Sequence, residues 1–137
     1  MNELYMQLAL KEAKKALKKN EVPVGAVIVK NNKVISKAYN QKEKTNNVTK
    51  HAEIIAISKA CNKTKNWRLD DCEIYVTMEP CMMCCGAIEQ SRIKKIIYGT
   101  KNNNYGYTNN LKNIQIVANV CEKDCTNIIK NFFKKKR

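Results

Sequence analysis

Apolar residues recur at helical spacing in the first twenty positions. Leu4, Tyr5, Leu8, Ala9, Ala13, Ala16 and Leu17 share one face, while Lys11, Lys14, Lys15, Lys18 and Lys19 surround the other. The spacing predicts an amphipathic helix over residues 2–20, with Pro23 marking the exit. The pattern then changes period. Residues 25–30 (GAVIVK) and 33–38 (KVISKA) read as two β-branched strands, and the Asn31-Asn32 link between them signals a hairpin. A polar stretch over 41–50 predicts a loop, and a helix follows over 52–61. Further strands are expected at 73–77, 95–98 and 114–118, with helices at 81–91 and 122–135 and an Asn-rich loop over 100–110. Pro80 suits the first turn of its helix. Strands alternating with helices predict an α/β layered domain around one mixed sheet. No internal repeat or long linker interrupts residues 1–137, so the length fits a single domain with a real core.

Composition narrows the setting. Hydrophobic residues make up 44% of the chain, which suits a globular fold, and no apolar run reaches the roughly 20 residues of a membrane span. The first residues lack the apolar core of a secretory signal. Seven cysteines, an odd number, point to a reducing cytoplasm rather than a disulfide framework. Cys61, Cys72, Cys121 and Cys125 read as small buried hydrophobes. The formal net charge of +14 favours a polyanionic partner. Lysine and asparagine, however, make 41 of the 137 residues and arginine appears only three times, a skew of the kind AT-rich codons produce. The clustering of lysines at the end of the chain therefore says more than the total.

The chemistry concentrates in two short motifs. The single histidine, His51, opens a predicted helix, with Glu53 two residues on. Pro80-Cys81-Met82-Met83-Cys84 begins 29 residues after His51, at the start of another helix. Cysteines at i and i+3 share a helix face, so both sulfurs can meet one ion, and the helix N-terminus favours thiolates. Two thiolates and one imidazole leave zinc's fourth position to water, as catalytic sites do. Glu53 can then take a proton from that water and pass it to a ring nitrogen. Neighbouring residues of a helix diverge by about 100°, so Cys85 is a poor fourth ligand and a closed structural zinc site is disfavoured. A redox Cys-x-x-Cys would leave His51 and Glu53 idle. His-x-Glu followed by Pro-Cys-x-x-Cys is the pattern of zinc-dependent nucleobase deaminases.

The chain resembles the bacterial tRNA-specific adenosine deaminases of the cytidine-deaminase superfamily. The likeness runs from Tyr5 to Arg137. It rests on Glu21-Val22-Pro23-Val24-Gly25-Ala26, Asn40, His51-Ala52-Glu53, Tyr75-Val76-Thr77-Met78-Glu79-Pro80-Cys81, Ser91-Arg92-Ile93 and the tail Phe132-Phe133-Lys134-Lys135-Lys136-Arg137. It implies an α/β/α three-layer domain with a five-stranded mixed sheet, one Zn2+ per subunit, and a homodimer. It also implies hydrolytic deamination of the wobble adenosine of tRNA anticodon loops to inosine. By position, His51, Cys81 and Cys84 hold zinc, Glu53 shuttles protons while zinc-activated water attacks C6, and Val24, Asn40 and the Ala52 backbone line the substrate pocket. Asn102, which stands where bacterial members carry Asp, and Lys134, Lys135, Lys136 and Arg137 are candidate RNA contacts. Phe132 and Phe133 read as core anchors of the last helix, and Cys85 as a bystander. The alternative is a deaminase of free nucleobases or nucleosides of the cytosine or guanine type, whose zinc site has the same form.

Overall fold

The structure, a computed structural model, describes residues 2–135. Eleven elements follow one another: α1 (Asn2–Lys18), β1 (Gly25–Lys30), β2 (Lys33–Tyr39), α2 (Lys42–Thr45), α3 (Ala52–Thr64), β3 (Cys72–Met78), α4 (Met82–Gln90), β4 (Lys95–Thr100), a 3-10 turn (Thr108–Asn110), β5 (Gln115–Val117) and α5 (Glu122–Lys135). The five strands form one sheet in the order β2-β1-β3-β4-β5. β1 runs antiparallel to β2 and β3, while β3–β4 and β4–β5 are parallel.

The β1–β2 hairpin forms as its sequence predicts. Lys30 pairs with Lys33, and Asn31 and Asn32 both take positive φ (50° and 63°), as a two-residue primed turn requires. Central strands read as continuous apolar runs because both faces are covered. Ala26, Ile28, Ile74, Val76, Ile96 and Tyr98 point to one core, closed by Ala52, Ala56 and Ala60 of α3 and Ile88 of α4. Val27, Val29, Tyr75 and Ile97 point to the other, closed by Tyr5, Met6, Ala9, Leu10 and Ala13 of α1 and Cys125 and Ile128 of α5. Helices thus cover both sheet faces, giving an α/β/α three-layer architecture around a five-stranded mixed sheet. Gly25 lets β1 pass under α1: a Cβ there would run into the Ala9 carbonyl oxygen and lie 2.6 Å from the Ala13 nitrogen.

Several boundaries differ from the sequence expectation. The polar stretch over 41–50 contains the helical turn α2, which buries no side chain and so has no apolar periodicity to announce it. α3 continues to Thr64. α4 starts at Met82, which makes Cys81 its cap residue and puts Pro80 outside the helix. Cys72 and Cys125 are buried as expected, but Cys61 and Cys121 are only partly so. None of the seven cysteines forms a disulfide.

Candidate functional site

His51 and Cys81 occupy equivalent places. Each is the cap residue of its helix, in extended backbone geometry, and neither uses its side chain to cap. Cap positions usually spend a polar side chain on the free N–H groups of the first turn. Here both side chains turn instead toward each other. The Cys81 and Cys84 sulfurs lie 3.8 and 3.4 Å from His51 Nδ1, and the three ligand atoms fall within 4.8 Å of one another. Zn–S and Zn–N bonds in a tetrahedron set ligand separations of about 3.5–3.8 Å, so the donor set fits zinc in both chemistry and spacing. α3 and α4 bury Ala56, Ala60, Cys84 and Ile88 behind this corner, which fixes the two helix starts relative to each other.

The electrostatics suit a cation. The Cys81 thiol is held down to about 3 by the Cys84 thiol and then by the His51 ring, both hydrogen-bonded to its sulfur. Cys84 is pushed up because its proton is shared with the Cys81 thiolate. His51 is raised by its hydrogen bond to Cys81, against burial and the nearby Lys42 cation. Glu53 is 4% exposed, and burial pushes its carboxyl up to about 7. The environment thus brings it near neutrality, where a proton shuttle works best. Cys85 is different. It is fully buried, its thiol donates to the Pro80 carbonyl at 3.5 Å, and burial pushes it up to about 12, so it stays a neutral thiol pointing away from the cluster.

A cleft of 670 Å³ opens over His51, Glu53 and Cys81. That is within the range of about 300–1,000 Å³ typical of small-molecule sites. Val24 and Asn40, two of the expected pocket residues, line it together with Asn102, an expected RNA contact, while Ala52 lies in the inner core. Asn40 is 7% exposed, and its N–H donates to the Val24 carbonyl at 3.1 Å. Lys134 and Lys135 are exposed on the last turn of α5 and do not line the cleft; Lys136 and Arg137 lie outside the described residues.

Four contributors were not singled out from the sequence. Phe133, expected in the core, is 48% exposed and lines the cleft, whereas Phe132 is buried. The signal was present: Cys125, Ile128 and Phe132 follow helical spacing, and Phe133 falls about 100° off that stripe. Tyr105, at 73% exposure, also lines the cleft. The other two are buried glutamates that hold the loops. Glu79 accepts from the N–H of Asn102 and of Thr108 (3.2 Å each) and from the Thr108 hydroxyl (2.5 Å). Glu21 accepts from the N–H of Glu43 (3.0 Å) and of Lys44 (2.7 Å). Gly106 packs on Glu79 so closely that a Cβ would overlap the carboxylate.

Comparison with known proteins agrees with this geometry. The MafB19-like deaminase family matches residues 1–137. A tRNA-specific adenosine deaminase of Rickettsia bellii is 45% identical over 96% of this chain and 99% of its own. A solved structure from a study of A-to-I editing by tRNA:A34 deaminases at the wobble position superposes with a TM-score of 0.86, at 34% identity over 91% of this chain and 98% of that one. A guanine deaminase from Bacillus subtilis matches with a TM-score of 0.70, at 37% identity over 74% of this chain and 65% of that one. The tRNA deaminase relatives span nearly the whole chain at 34–45% identity, and on that likeness the chain belongs to the tRNA-specific adenosine deaminase family.

Proposed function

We propose that the protein hydrolytically deaminates adenosine to inosine at the wobble position of tRNA anticodon loops. The observation that carries this reading is the convergence of His51, Cys81 and Cys84, with His51, Glu53 and Cys81 facing a cleft of 670 Å³, in a chain alike over nearly its full length to tRNA-specific adenosine deaminases. His51, Cys81 and Cys84 would hold Zn2+, which supplies a water made acidic enough to act as a nucleophile near neutral pH. As the water oxygen adds to C6 of adenine, Glu53 takes one of its protons and delivers it to N1. It then takes the proton of the new C6 hydroxyl and passes it to the amine, so that the C6–N bond breaks, ammonia leaves and the C6 carbonyl of inosine remains. Its burial excludes bulk water, so the proton passes to the base rather than to solvent. Val24 and Asn40 hold the base over Glu53, aided by the Ala52 backbone. An anticodon loop presents unpaired bases, so turning one into the cleft costs little stacking. The basic side chains of Lys134, Lys135, Lys136 and Arg137 add phosphate contacts. The same reading makes the enzyme a cytoplasmic homodimer; light scattering at micromolar concentration checks the assembly. No helix among the described residues is long and apolar enough to cross a membrane.

The test is incubation of zinc-loaded protein with tRNA and, separately, with adenosine, cytosine and guanine, reading products by mass spectrometry. Inosine in the anticodon loop is expected. Deamination of free bases with tRNA left intact would overturn the reading in favour of a nucleobase deaminase.

A further inference from the structure

Among the described residues, Lys42 is the only lysine or arginine lining the cleft. The other ionisable side chains on its walls, among the described residues, are His51, Glu53, Glu79, Cys81 and Tyr105. Lys42 is half-buried, unlike its exposed neighbour Lys44, and no carboxylate among the described residues pairs with it. A second groove of 510 Å³ shares Val22, Asn40, Lys42 and Phe133 with the cleft, so Lys42 stands at the junction of the two. Glu43, the nearest acid in sequence, lines only the second groove.

The position of Lys42 is built. It opens α2, a helical turn with no buried side chain of its own. What holds that turn is Glu21, 1% exposed, whose two carboxylate oxygens accept the N–H groups of the next two residues. A buried carboxylate bonded to two backbone amides is a strong local anchor. It leaves the adjacent ammonium group without a counter-ion among the described residues, on the wall of the cleft. A free nucleoside offers such a cation no counter-charge, whereas a nucleotide in a chain carries a phosphate.

We infer that Lys42 binds a backbone phosphate next to the target nucleoside, so that a polynucleotide is preferred over a free nucleoside, and that Glu21 is the positioning residue for this contact. The inference rests on the proposed RNA substrate. A lysine–phosphate contact on a single strand contributes a salt-dependent slope of about 0.7 in log K against log salt.

The experiment uses the zinc-loaded full chain and an anticodon stem-loop RNA, measuring inosine formation at several salt concentrations. Lys42→Gln is expected to raise KM about tenfold, with the loss in KM rather than kcat, and to reduce the salt slope by about 0.7. Lys42→Arg should restore most of both. Glu21→Gln places an amide NH2 against a backbone N–H, and should raise KM in the same direction by a smaller factor. Replacing the phosphates flanking the target adenosine with neutral methylphosphonates should raise KM for the wild type and leave Lys42→Gln nearly unmoved. Wild-type inosine formation with KM and salt slope unchanged in Lys42→Gln overturns the inference alone. No inosine from the wild type overturns both it and the substrate reading.

Discussion

His51 and Cys81 stand at the starts of helices whose inward faces are buried, while Lys42 and Asn102 ride on short irregular segments that bury little. α3 buries Ala52, Glu53, Ala56 and Ala60, and α4 buries Cys84, Cys85 and Ile88. α2 buries nothing, and Lys101 and residues 103–105 are exposed. Apolar packing therefore fixes the reacting corner, and it does so through many small contacts that no single substitution removes. The cleft walls are fixed differently, by one buried carboxylate each: Glu21 under α2 and Glu79 under the 102–108 loop. On the proposed function, chemistry would sit on the part held by many packing contacts, and substrate contact on parts that can be loosened one at a time.

The largest effect should come from taking the metal away. A strong chelator is expected to remove about one zinc per chain, with activity lost and then restored by added zinc; metal analysis alongside the inosine assay checks this. Careful purification that yields active protein without zinc would break the comparison at its root. Glu53→Gln separates proton transfer from metal binding within the same corner. It should keep zinc at the wild-type level while turnover falls by about 10²–10⁴. Substantial residual turnover would mean that another group carries the proton.

Those four residues were legible because each motif is local. His51 and Glu53 are two apart, Cys81 and Cys84 three apart, and each pair sits at a predicted helix start. The strands and the Asn31-Asn32 turn were legible for the same reason. The loop anchors were not. Glu79 reaches amides 23 and 29 residues away, and Glu21 reaches amides 22 and 23 residues away. A carboxylate that accepts from distant backbone has no periodicity and no partner side chain, so in sequence it looks like any surface acid. α2 escaped similarly, because a turn held from outside carries no apolar stripe.

Glu79→Ala tests the loop half of the comparison. It would leave the Asn102 and Thr108 amides and the Thr108 hydroxyl without their acceptor, costing about 2–4 kcal/mol if they stay buried and less if water enters. Activity should fall about tenfold, mainly through KM, with zinc retained. Hydrogen exchange should quicken over residues 102–108 and not at the starts of α3 and α4. Loss of zinc in this variant would show that the loop and the metal corner are one unit rather than two. Gly106→Ala, which forces a Cβ against the same carboxylate, should reproduce the change at about 1–3 kcal/mol.

The smallest effect is expected at Cys85, and it sharpens the comparison because Cys85 lies inside the metal corner without serving it. Its sulfur is as buried as that of Cys84, yet it faces the Pro80 carbonyl rather than His51. Burial keeps it a neutral thiol, with no nearby cation to draw out a thiolate. Cys85→Ala therefore removes one sulfur atom from a packed core and one weak hydrogen bond, a cost of about 1 kcal/mol. Zinc content and turnover should match the wild type. A drop in metal content would place Cys85 among the ligands and undo the division between Cys81-Cys84 and the cysteine next to them.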